Sequence, residues 1–434
     1  MDAARKTAFT VLLRMQKDGA YSNLTLENNA ALKALPQRDR AFVSALVYGV
    51  TERLLTLDYN LSLYLKKPLQ KLQPQVLCLL RLGAYQILFM EKVPASAAVN
   101  ETVLLAKKVC AYAGGLVNAV LRKISAYGLC LPEENAENYL SVKFSCPQWL
   151  IDKWHAEYGE DAMRGILEQS LLPSKVTIKV NPLLTTPLQL QQRLADEGVA
   201  CTPTDVEGLL CLQSLPCAVD QLASFREGLF HVQDKASCLC AKAVGAEPGD
   251  TVFDLCAAPG GKTFSIAEDM GDRGSVRAFD LYPSRVRLIE QGAKRLQLQA
   301  VSTGVHDALQ KPDIGLADRV LCDVPCAGLG ILRRKPEIKY KTEESLSALP
   351  QLQLSILKNG AACVRDGGRL IYSTCSLSKA ENEDVCAAFL KETTSFVPVA
   401  PLPALSADVF VTLLPHRDHC DGFFIAAFEK RGTS

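Results

Sequence analysis

The stretch TVFDLCAAPGGKT, residues 251–263, contains a short apolar strand that runs directly into a glycine-rich turn. We predict a strand over Thr251–Leu255, followed by a glycine-rich turn at the N-terminus of the next helix. In open α/β sheets such a turn places backbone N–H groups and a helix N-terminus against an anionic ligand. The stretch therefore predicts the first strand–turn–helix unit of a ligand-binding domain.

The chain after residue 240 continues the strand–helix alternation that is typical of a doubly wound parallel sheet. Further strands are predicted at Val276–Phe279, Val301–Gly304, Arg319–Cys322 and Arg369–Tyr372, and helices at Ser284–Leu296, Glu343–Val364 and Ala380–Lys391. Two closing apolar runs, Val409–Leu413 and Gly422–Phe428, predict a terminal antiparallel pair. We therefore expect an α/β domain over residues 241–434.

The chain before this domain contains two regions that differ in apolar periodicity, charge and proline content. Residues 1–130 carry apolar positions at helical spacing, which predicts an all-α bundle. They contain 17 Lys and Arg against 8 Asp and Glu, a balance of +9, whereas the remaining residues contain 31 against 39. A basic module of this kind suggests a polyanionic partner, although lysines that merely solvate helix faces give the same count. Residues 131–240 are rich in proline and predict a small α+β connector, with a strand at Val176–Val180 and a helix at Pro187–Glu197.

Composition limits the class of protein. The sequence shows no export signal and no apolar run long enough to span a bilayer. Its 16 cysteines include no Cys-x-x-Cys pair, so we expect neither a disulfide framework nor a metal site. We therefore expect a cytoplasmic, monomeric, globular protein.

The glycine turn can be compared with three known ligand loops. A P-loop needs glycine where Cys256 stands, and the dinucleotide fingerprint G-x-G-x-x-G is absent. The methionine carboxylate of S-adenosylmethionine remains as the ligand that fits, although glycine turns are often no more than turns. The loop residues expected to contact this cofactor are Cys256, Ala257, Ala258, Pro259, Gly260, Gly261 and Lys262.

Acidic residues at the ends of the next strands favour a nucleoside ligand. Asp280 ends the second predicted strand, about twenty residues after the loop, where a carboxylate accepts hydrogen bonds from ribose hydroxyls. Asp307 follows the third strand, where it is placed to meet an adenine edge. Either aspartate alone would be an ordinary loop residue, but two at successive strand ends favour a cofactor site.

Two cysteines follow the fourth and fifth strands, in Asp323-Val-Pro-Cys326 and Thr374-Cys375-Ser376. A single cysteine is usually a packing residue, but two at adjacent strand exits, one beside an acid, predict covalent chemistry at a pyrimidine. A thiolate that adds to C6 of cytosine makes C5 nucleophilic enough to take a methyl group. We expect Asp323 to stabilise the charge that develops on the ring, and a helix from Ser378 onward to favour the thiolate of Cys375.

These motifs closely resemble those of the Sun/RsmB group of the Nop/Sun family, the bacterial 16S rRNA cytosine-C5 methyltransferases, over nearly the whole length. The likeness implies a Rossmann-like class I methyltransferase domain, with Cys375 as nucleophile and Cys326 assisting release of the methylated base. It also implies that Asp280, Asp307 and Asp323 line the cofactor and base pocket, and that Lys262 reaches the active site. DNA cytosine methyltransferases attack instead with the cysteine of the Pro-Cys motif. One departure is Ala327, where the family commonly has serine.

The helical region resembles the RNA-binding fold of the antitermination factor NusB, chiefly over residues 93–101 and 115–123. This likeness implies RNA binding, and the Sun/RsmB likeness implies that the partner RNA is 16S rRNA. We expect the target cytosine in an unpaired loop, because a base must leave its stack to reach Cys375. Two alternatives stay open: a tRNA cytosine-C5 methyltransferase, and a non-catalytic ribosome-assembly or antitermination factor. A relict of the second kind would be expected to have lost its thiol or its loop, and this chain keeps both.

Overall fold

The computed structural model describes residues 2–18, 25–26, 29–310, 313 and 315–432. They form two compact units, each with its own apolar core. The first unit combines the chain up to Leu172 with the segment Leu332–Thr342, and the second combines Pro173–Ile331 with Glu343–Ser434. Within the described residues, no helix is both long and apolar enough to cross a bilayer.

The first unit is helical. The sequence predicts an all-α bundle for residues 1–130, and three further helices follow before Leu172, within the stretch that is predicted as a connector. Its helices are α1 (Ala3–Asp18), α2 (Ala30–Lys33), α3 (Gln37–Glu52), α4 (Leu54–Ser62), α5 (Pro74–Phe89), α6 (Ala95–Val109), α7 (Gly114–Tyr127), α8 (Tyr139–Phe144), α9 (Gln148–Tyr158) and α10 (Glu160–Ser170). Proline stands before or at the first position of several of these helices, where its missing N–H costs nothing.

Helix α5 is the centre of this unit, and α1, α3, α4, α6 and α7 pack around it. It is apolar around most of its circumference, which is the pattern of a buried helix. Gly83 lets α7 approach closely, because a Cβ at that position would stand 2.4 Å from Cδ1 of Leu121.

The segment Leu332–Thr342 joins the first unit although it lies between two elements of the second in the chain. Its Lys339 is buried, and its ammonium donates a hydrogen bond to the carbonyl of Glu52 at 2.8 Å. Burial lowers the pKa of Lys339 to about 8, because the charged form loses its hydration. The hydroxyl of Tyr340 lies 3.0 Å from Oγ of Ser145 and adds a second polar anchor.

The second unit begins with a four-stranded antiparallel sheet in the order β2-β3-β1-β4. Its elements are β1 (Val176–Val180), α11 (Pro187–Asp196), β2 (Cys201–Pro203), β3 (Leu209–Leu212), α12 (Ala223–Arg226) and β4 (Phe230–Val232). The predicted strand Val176–Val180 is confirmed, and so is the predicted helix, which ends one residue early. Thr186 and Gln189 form a reciprocal capping box at its start.

A larger, eight-stranded sheet follows. Its elements are α13 (Lys235–Ala243), β5 (Thr251–Asp254), α14 (Gly261–Asp269), β6 (Ser275–Asp280), α15 (Pro283–Arg295), β7 (Val301–Val305), β8 (Ala317–Asp323), α16 (Leu349–Ala362), β9 (Val364–Thr374), α17 (Glu383–Glu392), β10 (Phe396–Val399), β11 (Phe410–Leu413), α18 (Pro415–Asp418) and β12 (Phe423–Lys430). The strand order is β10-β12-β9-β8-β5-β6-β7, with β11 paired to β12.

Strands β7, β6, β5, β8 and β9 are parallel, whereas β12 runs antiparallel to β9. Val252 and Phe253 show why helices cover both faces. Neighbouring residues of a strand point to opposite faces, and these two belong to different core clusters: Val252 packs with residues of α13–α15, and Phe253 with residues of α16 and α17. The mixed sheet with helices on both faces confirms the predicted α/β Rossmann-like fold.

One predicted helix is shorter in the structure. The sequence pattern predicts helix throughout Glu343–Val364, but only Glu344–Leu346 forms a 3₁₀ turn before α16 begins at Leu349. Pro350 occupies the first turn of α16, a position that proline favours because no N–H is needed there for the helix. Val364 belongs instead to β9.

Candidate active site

The predicted site residues gather at one edge of the larger sheet. Because β5 to β9 are parallel, their carboxyl ends meet at the same edge, which is where open α/β sheets bind ligands. This edge carries the loop 255–260 after β5, then Asp280 at the end of β6, Asp307 after β7, Asp323 at the end of β8, Cys326 just beyond it, and Cys375 directly after β9.

The two predicted catalytic cysteines face each other. The Sγ atoms of Cys326 and Cys375 are 3.2 Å apart, and both residues are half-buried. The hydrogen bond with Cys375 and the burial of the thiol raise the pKa of Cys326 well above its ordinary value. Either thiol can be the donor in this contact, and the raised pKa of Cys326 means that this thiol carries its proton at neutral pH.

A backbone link joins the two cysteine-bearing loops. The N–H of Gly330 donates to the carbonyl of Cys375 at 2.9 Å, and the carbonyl of Gly330 accepts from the N–H of Gly422 at 2.8 Å. Only glycine fits at position 330, since a Cβ there would stand 1.9 Å from the carbonyl oxygen of Gly422. The segment around Gly422, near the end of the chain, thus packs directly against the cysteine-bearing loops.

Lys262 and Asp323 form an ion pair beside the cysteines. The ammonium of Lys262 lies 2.7 Å from Oδ2 of Asp323 and 5.1 Å from the ring centre of Phe423. Burial disfavours the charged amine, but the adjacent carboxylate outweighs it and raises the pKa of Lys262. Ser373 donates to the other oxygen of Asp323 at 2.8 Å. Asp323 is the more exposed partner, with 26% of its side chain accessible against 13% for Lys262.

Glu381, which sequence reasoning missed, fastens both cysteine loops from beneath. It is buried, and one carboxylate oxygen accepts hydrogen bonds from the N–H of Ala327 and from Nε2 of Gln353, each at 2.8 Å. The other oxygen accepts from Oγ of Ser376 at 2.6 Å. Ala327 follows Cys326 and Ser376 follows Cys375, so one carboxylate is hydrogen-bonded to both cysteine-bearing loops.

Neighbouring side chains extend this clamp. Asn382 accepts from the hydroxyl of Thr374 at 2.6 Å and donates to the carbonyl of Ser376 at 2.9 Å. Nε2 of Gln353 also donates to the carbonyl of Pro325 at 3.0 Å. No motif spacing in the sequence predicts that these residues belong to the site. The one signal in the sequence is that Glu381 and Asn382 follow the cysteine motif by a few residues.

The expected helix after Cys375 starts later than predicted. A short 3₁₀ turn covers Lys379–Glu381, and α17 begins only at Glu383. The predicted helix start at Ser378 was therefore wrong: the first turn of α17 lies farther along the chain and carries two acids, Glu383 and Asp384.

The glycine turn has the geometry of an anion-binding loop. Gly260 has a φ of 111°, and a Cβ there would stand 2.4 Å from the ring of Phe264, so the turn requires glycine. No side chain caps the first turn of α14, and Gly261 is not crowded, since a Cβ at that position would make only an ordinary contact, 3.9 Å from Nε2 of Gln233. The free N–H groups of that turn suit a carboxylate ligand.

Contacts on both sides hold this loop. The N–H of Leu255 donates to the carbonyl of Leu321, and the N–H of Ala257 to the carbonyl of Phe279. Cys256 stays protonated, because burial and the nearby Asp254 raise its pKa.

Asp280 and Arg285 brace the far side of the loop. Asp280 is buried and accepts from the N–H of Ala258 at 3.3 Å and of Tyr282 at 3.2 Å. Arg285, which sequence reasoning also missed, donates to the carbonyl of Ala258 at 3.0 Å and lies 3.4 Å from Asp280. Asp307 is half-buried, and its carboxylate accepts a hydrogen bond from the N–H of Leu309.

Asp254 supports the turn from below. It is fully buried and accepts from the hydroxyl of Thr263 at 2.7 Å. Burial raises the pKa of Asp254 to about 7, and the hydrogen bond from Thr263 only partly opposes this shift.

Comparison with known proteins identifies the family. Residues 241–429 match the family model for 16S rRNA methyltransferase RsmB/F, residues 2–126 that for the NusB family, and residues 146–220 that for the ferredoxin-like domain of RsmF/B-like methyltransferases. The probable ribosomal RNA small subunit methyltransferase B of Bacillus subtilis is 35% identical over 99% of both chains. The chain belongs to the RsmB/F family of 16S rRNA methyltransferases.

Other matches agree with this assignment. The ribosomal RNA small subunit methyltransferase B of Thermus thermophilus is 32% identical over 98% of this chain and 97% of its own. The crystal structure of PH0851 superposes with a TM-score of 0.83 at 27% identity over 99% of both chains. The RsmB/F assignment confirms the family, the NusB-like bundle and the Rossmann-like domain predicted from the sequence. As a member of this family, the chain is a methyltransferase that acts on rRNA.

Proposed function

We propose that this RsmB/F methyltransferase transfers the methyl group of S-adenosylmethionine to C5 of a cytosine in 16S rRNA, through a covalent bond between Cys375 and C6. The observation that carries the proposal is the pair of thiols 3.2 Å apart at the carboxyl edge of the sheet. A single cysteine would serve packing equally well, but one nucleophile and one proton-bearing partner suit a reaction that must form and then break a carbon–sulfur bond. We further propose that the chain works in the cytoplasm, as a monomer, on an unpaired loop.

The glycine turn fits the cofactor, which supplies an electrophilic methyl group at its sulfonium. We propose that residues 256–262 and the first turn of α14 hold its methionine carboxylate, with Asp280 at its ribose hydroxyls and Asp307 at its adenine edge. The positive φ of Gly260 and the absence of a capping side chain at this described turn support the placement.

The chain's own residues then perform the steps on the base. The sulfur of Cys375 bonds to C6, and the electron pair of the C5–C6 double bond moves into the ring. We propose that Asp323, the more exposed partner of the ion pair, accepts a hydrogen bond from the exocyclic amine of the cytosine. The ammonium of Lys262, 2.7 Å from this carboxylate, supplies the positive charge that offsets the negative charge developing on the ring. C5 can then take the methyl group.

Release requires a second group. A base takes the C5 proton, the C5–C6 double bond forms again, and the sulfur of Cys375 leaves. We propose Cys326 as this base: its contact with Cys375 contributes to its raised pKa, so once Cys375 is bonded to carbon the thiol of Cys326 can give its proton to solvent, and its sulfur can then accept the proton of C5. We therefore propose Cys375 as nucleophile and Cys326 as the residue that assists release.

The test is the methylated nucleoside itself. The protein is incubated with S-adenosylmethionine and, separately, with 16S rRNA, 23S rRNA and tRNA, and the digested nucleosides are resolved by mass spectrometry. We expect 5-methylcytidine in 16S rRNA only, its loss in Cys375→Ala, and normal activity in Cys217→Ala, a half-buried cysteine outside the site. Methylation of tRNA, methylation at another atom, or an active Cys375→Ala variant would overturn the corresponding part of the proposal.

A further inference from the structure

A groove of about 510 Å³ opens on the surface of the first unit. The segment between α4 and α5, the 3₁₀ turn Ala111–Ala113 and helix α7 form its walls. We call it the lysine–tyrosine groove, because its lining includes Tyr64, Lys66, Lys67, Lys71, Tyr112 and Lys123. Buried apolar residues such as Val76 and Val120 form its floor.

The charge of this groove is positive and uncompensated. The chain has no Asp or Glu between Asp58 and Glu91, and none between Glu101 and Glu133, and the groove is built from these two stretches. Its four lysines are exposed, and among the described residues none of them is paired with a carboxylate. A concave surface with charge of one sign concentrates ligands of the opposite sign.

Aromatic rings stand at the same place. Tyr112 is 69% exposed, and its hydroxyl donates to Oε1 of Gln73 at 2.6 Å, which fixes the direction of its ring. Tyr64 stacks on Tyr127, with ring centres 5.9 Å apart and an interplanar angle of 19°, and Tyr127 is 71% exposed. The ammonium of Lys123 lies 5.8 Å from the ring centre of Tyr64. The groove thus offers oriented ring faces between exposed ammonium groups.

We propose that the lysine–tyrosine groove binds single-stranded RNA, with phosphates on its lysines and an unpaired base stacked on Tyr112. This inference deepens the proposed function and rests on its assignment of an RNA substrate. Lysines alone would serve any polyanion, and a duplex would present phosphates but keep its bases stacked inside. Exposed rings beside the lysines are the combination that non-duplex RNA uses, because every unpaired base has a face to stack.

The binding experiment uses the full-length protein and a fluorescent, unstructured oligoribonucleotide of about ten nucleotides, within the range that such grooves cover. We expect Lys66→Ala/Lys67→Ala/Lys71→Ala to weaken binding by roughly tenfold or more at low salt. The slope of log affinity against log salt should fall by about 0.7 for each phosphate that the variant no longer binds. The matched control, Lys33→Ala/Lys92→Ala/Lys175→Ala, removes three exposed lysines elsewhere and should bind as the wild type does.

The ring is tested separately. Tyr112→Ala should weaken binding by about five- to a hundredfold, which is the effect of losing one stacked base. Tyr112→Phe loses the hydrogen bond to Gln73 but keeps the ring, and should bind nearly as the wild type does. A duplex of the same sequence should compete poorly. All the altered side chains are exposed, so thermal unfolding should be unchanged, and any variant with a lowered Tm is replaced by Tyr112→Leu or by single lysine changes.

The outcomes separate this inference from the proposed function. If the wild type forms 5-methylcytidine in 16S rRNA while the groove variants bind RNA normally, the groove inference is overturned and the proposed function stands. If the variants lose RNA binding but the wild type methylates no 16S rRNA, the groove stands and the proposed substrate fails. Variants that keep RNA binding but lose binding to a poly-glutamate peptide would show an acidic protein partner instead, which also overturns the inference. Methylation at saturating RNA should keep its kcat, with only KM for RNA raised.

Discussion

Glu381 provides the sharpest test of how the site is held together. Its carboxylate accepts three hydrogen bonds, from the N–H of Ala327, Nε2 of Gln353 and the hydroxyl of Ser376. Each hydrogen bond to a charged group contributes about 1.5–3 kcal/mol, and contributions that share one carboxylate do not add fully. Glu381→Ala leaves these donors buried without a partner, so we expect a loss of about 3–5 kcal/mol of folding free energy.

The effect on the reaction follows from the same contacts. Without the carboxylate, the residues after Cys326 and Cys375 are no longer tied to one point, and the 3.2 Å approach of the two sulfurs is not maintained. A misplacement of about 1 Å in an active site costs about a hundredfold in rate. We therefore expect the single-turnover rate of Glu381→Ala to fall about a hundredfold, with cofactor affinity unchanged because the hydrogen bonds of Glu381 all go to the cysteine loops and Gln353.

Glu381→Gln is the conservative comparison. Its oxygen can still accept from Ala327 and Gln353, while its amide faces Ser376, whose hydroxyl can turn and accept. We expect less than about tenfold loss of rate in this variant. Single-turnover methylation and chemical denaturation measure both quantities at a temperature well below unfolding, with Glu247→Ala, an exposed acid, as control. A Glu381→Ala protein of reduced stability but normal single-turnover rate would show that the residue supports the fold and does not position the thiols.

Three further predictions follow from the same edge of the sheet. Cys326→Ala should accumulate a covalent protein–RNA adduct on a denaturing gel, because attack remains possible while release is impaired; an equal band from Cys375→Ala would contradict the division of labour. Asp280→Ala should weaken S-adenosylmethionine binding by about ten- to a hundredfold in calorimetry, as expected for loss of a charged hydrogen bond, whereas unchanged affinity would remove it from the ribose site. Asp254 has a folded pKa of about 7, above its ordinary value of 3.8, so the unfolded chain releases this proton first and wild-type stability should fall as pH rises from about 4 to 7. Asp254→Asn should remove this pH-dependent loss of stability, which amounts to up to about 4 kcal/mol of unfolding free energy. Chemical denaturation at several pH values measures it, and parallel stability profiles for the two proteins would show that Asp254 does not cause the loss.

The parts of the site that sequence predicted are those that a parallel sheet places by rule. Asp280, Asp323 and Cys375 could be located because each stands at the end of an apolar strand, and parallel strands end at a common edge. The pattern of strands also sufficed to predict the closing antiparallel pair, β11 with β12. The roles of these residues in catalysis stay predictions that the experiments above address.

Glu381 could not be predicted in the same way, because its function depends on loops that only the fold brings together. It reaches Ala327, 54 positions earlier in the chain, and Gln353, 28 positions earlier. The segment Leu332–Thr342 is a similar case, since nothing in its sequence shows that it packs with the first unit. Hydrophobic periodicity and secondary-structure propensity describe residues that are close along the chain. The contacts of Glu381 and the packing of Leu332–Thr342 join residues that are far apart in the sequence.

The arrangement of protons at the sheet edge gives a reason for the division of labour that does not depend on motifs. Lys262 keeps its charge beside Asp323, and Cys326 keeps its proton beside Cys375, because in each case the nearest partner raises the pKa. We propose that the thiol whose pKa is raised is not the first nucleophile and that attack falls to Cys375. Formation of the carbon–sulfur bond would then remove one of the contacts that raise the pKa of Cys326, so that this thiol can lose its proton and serve as the base in the later step.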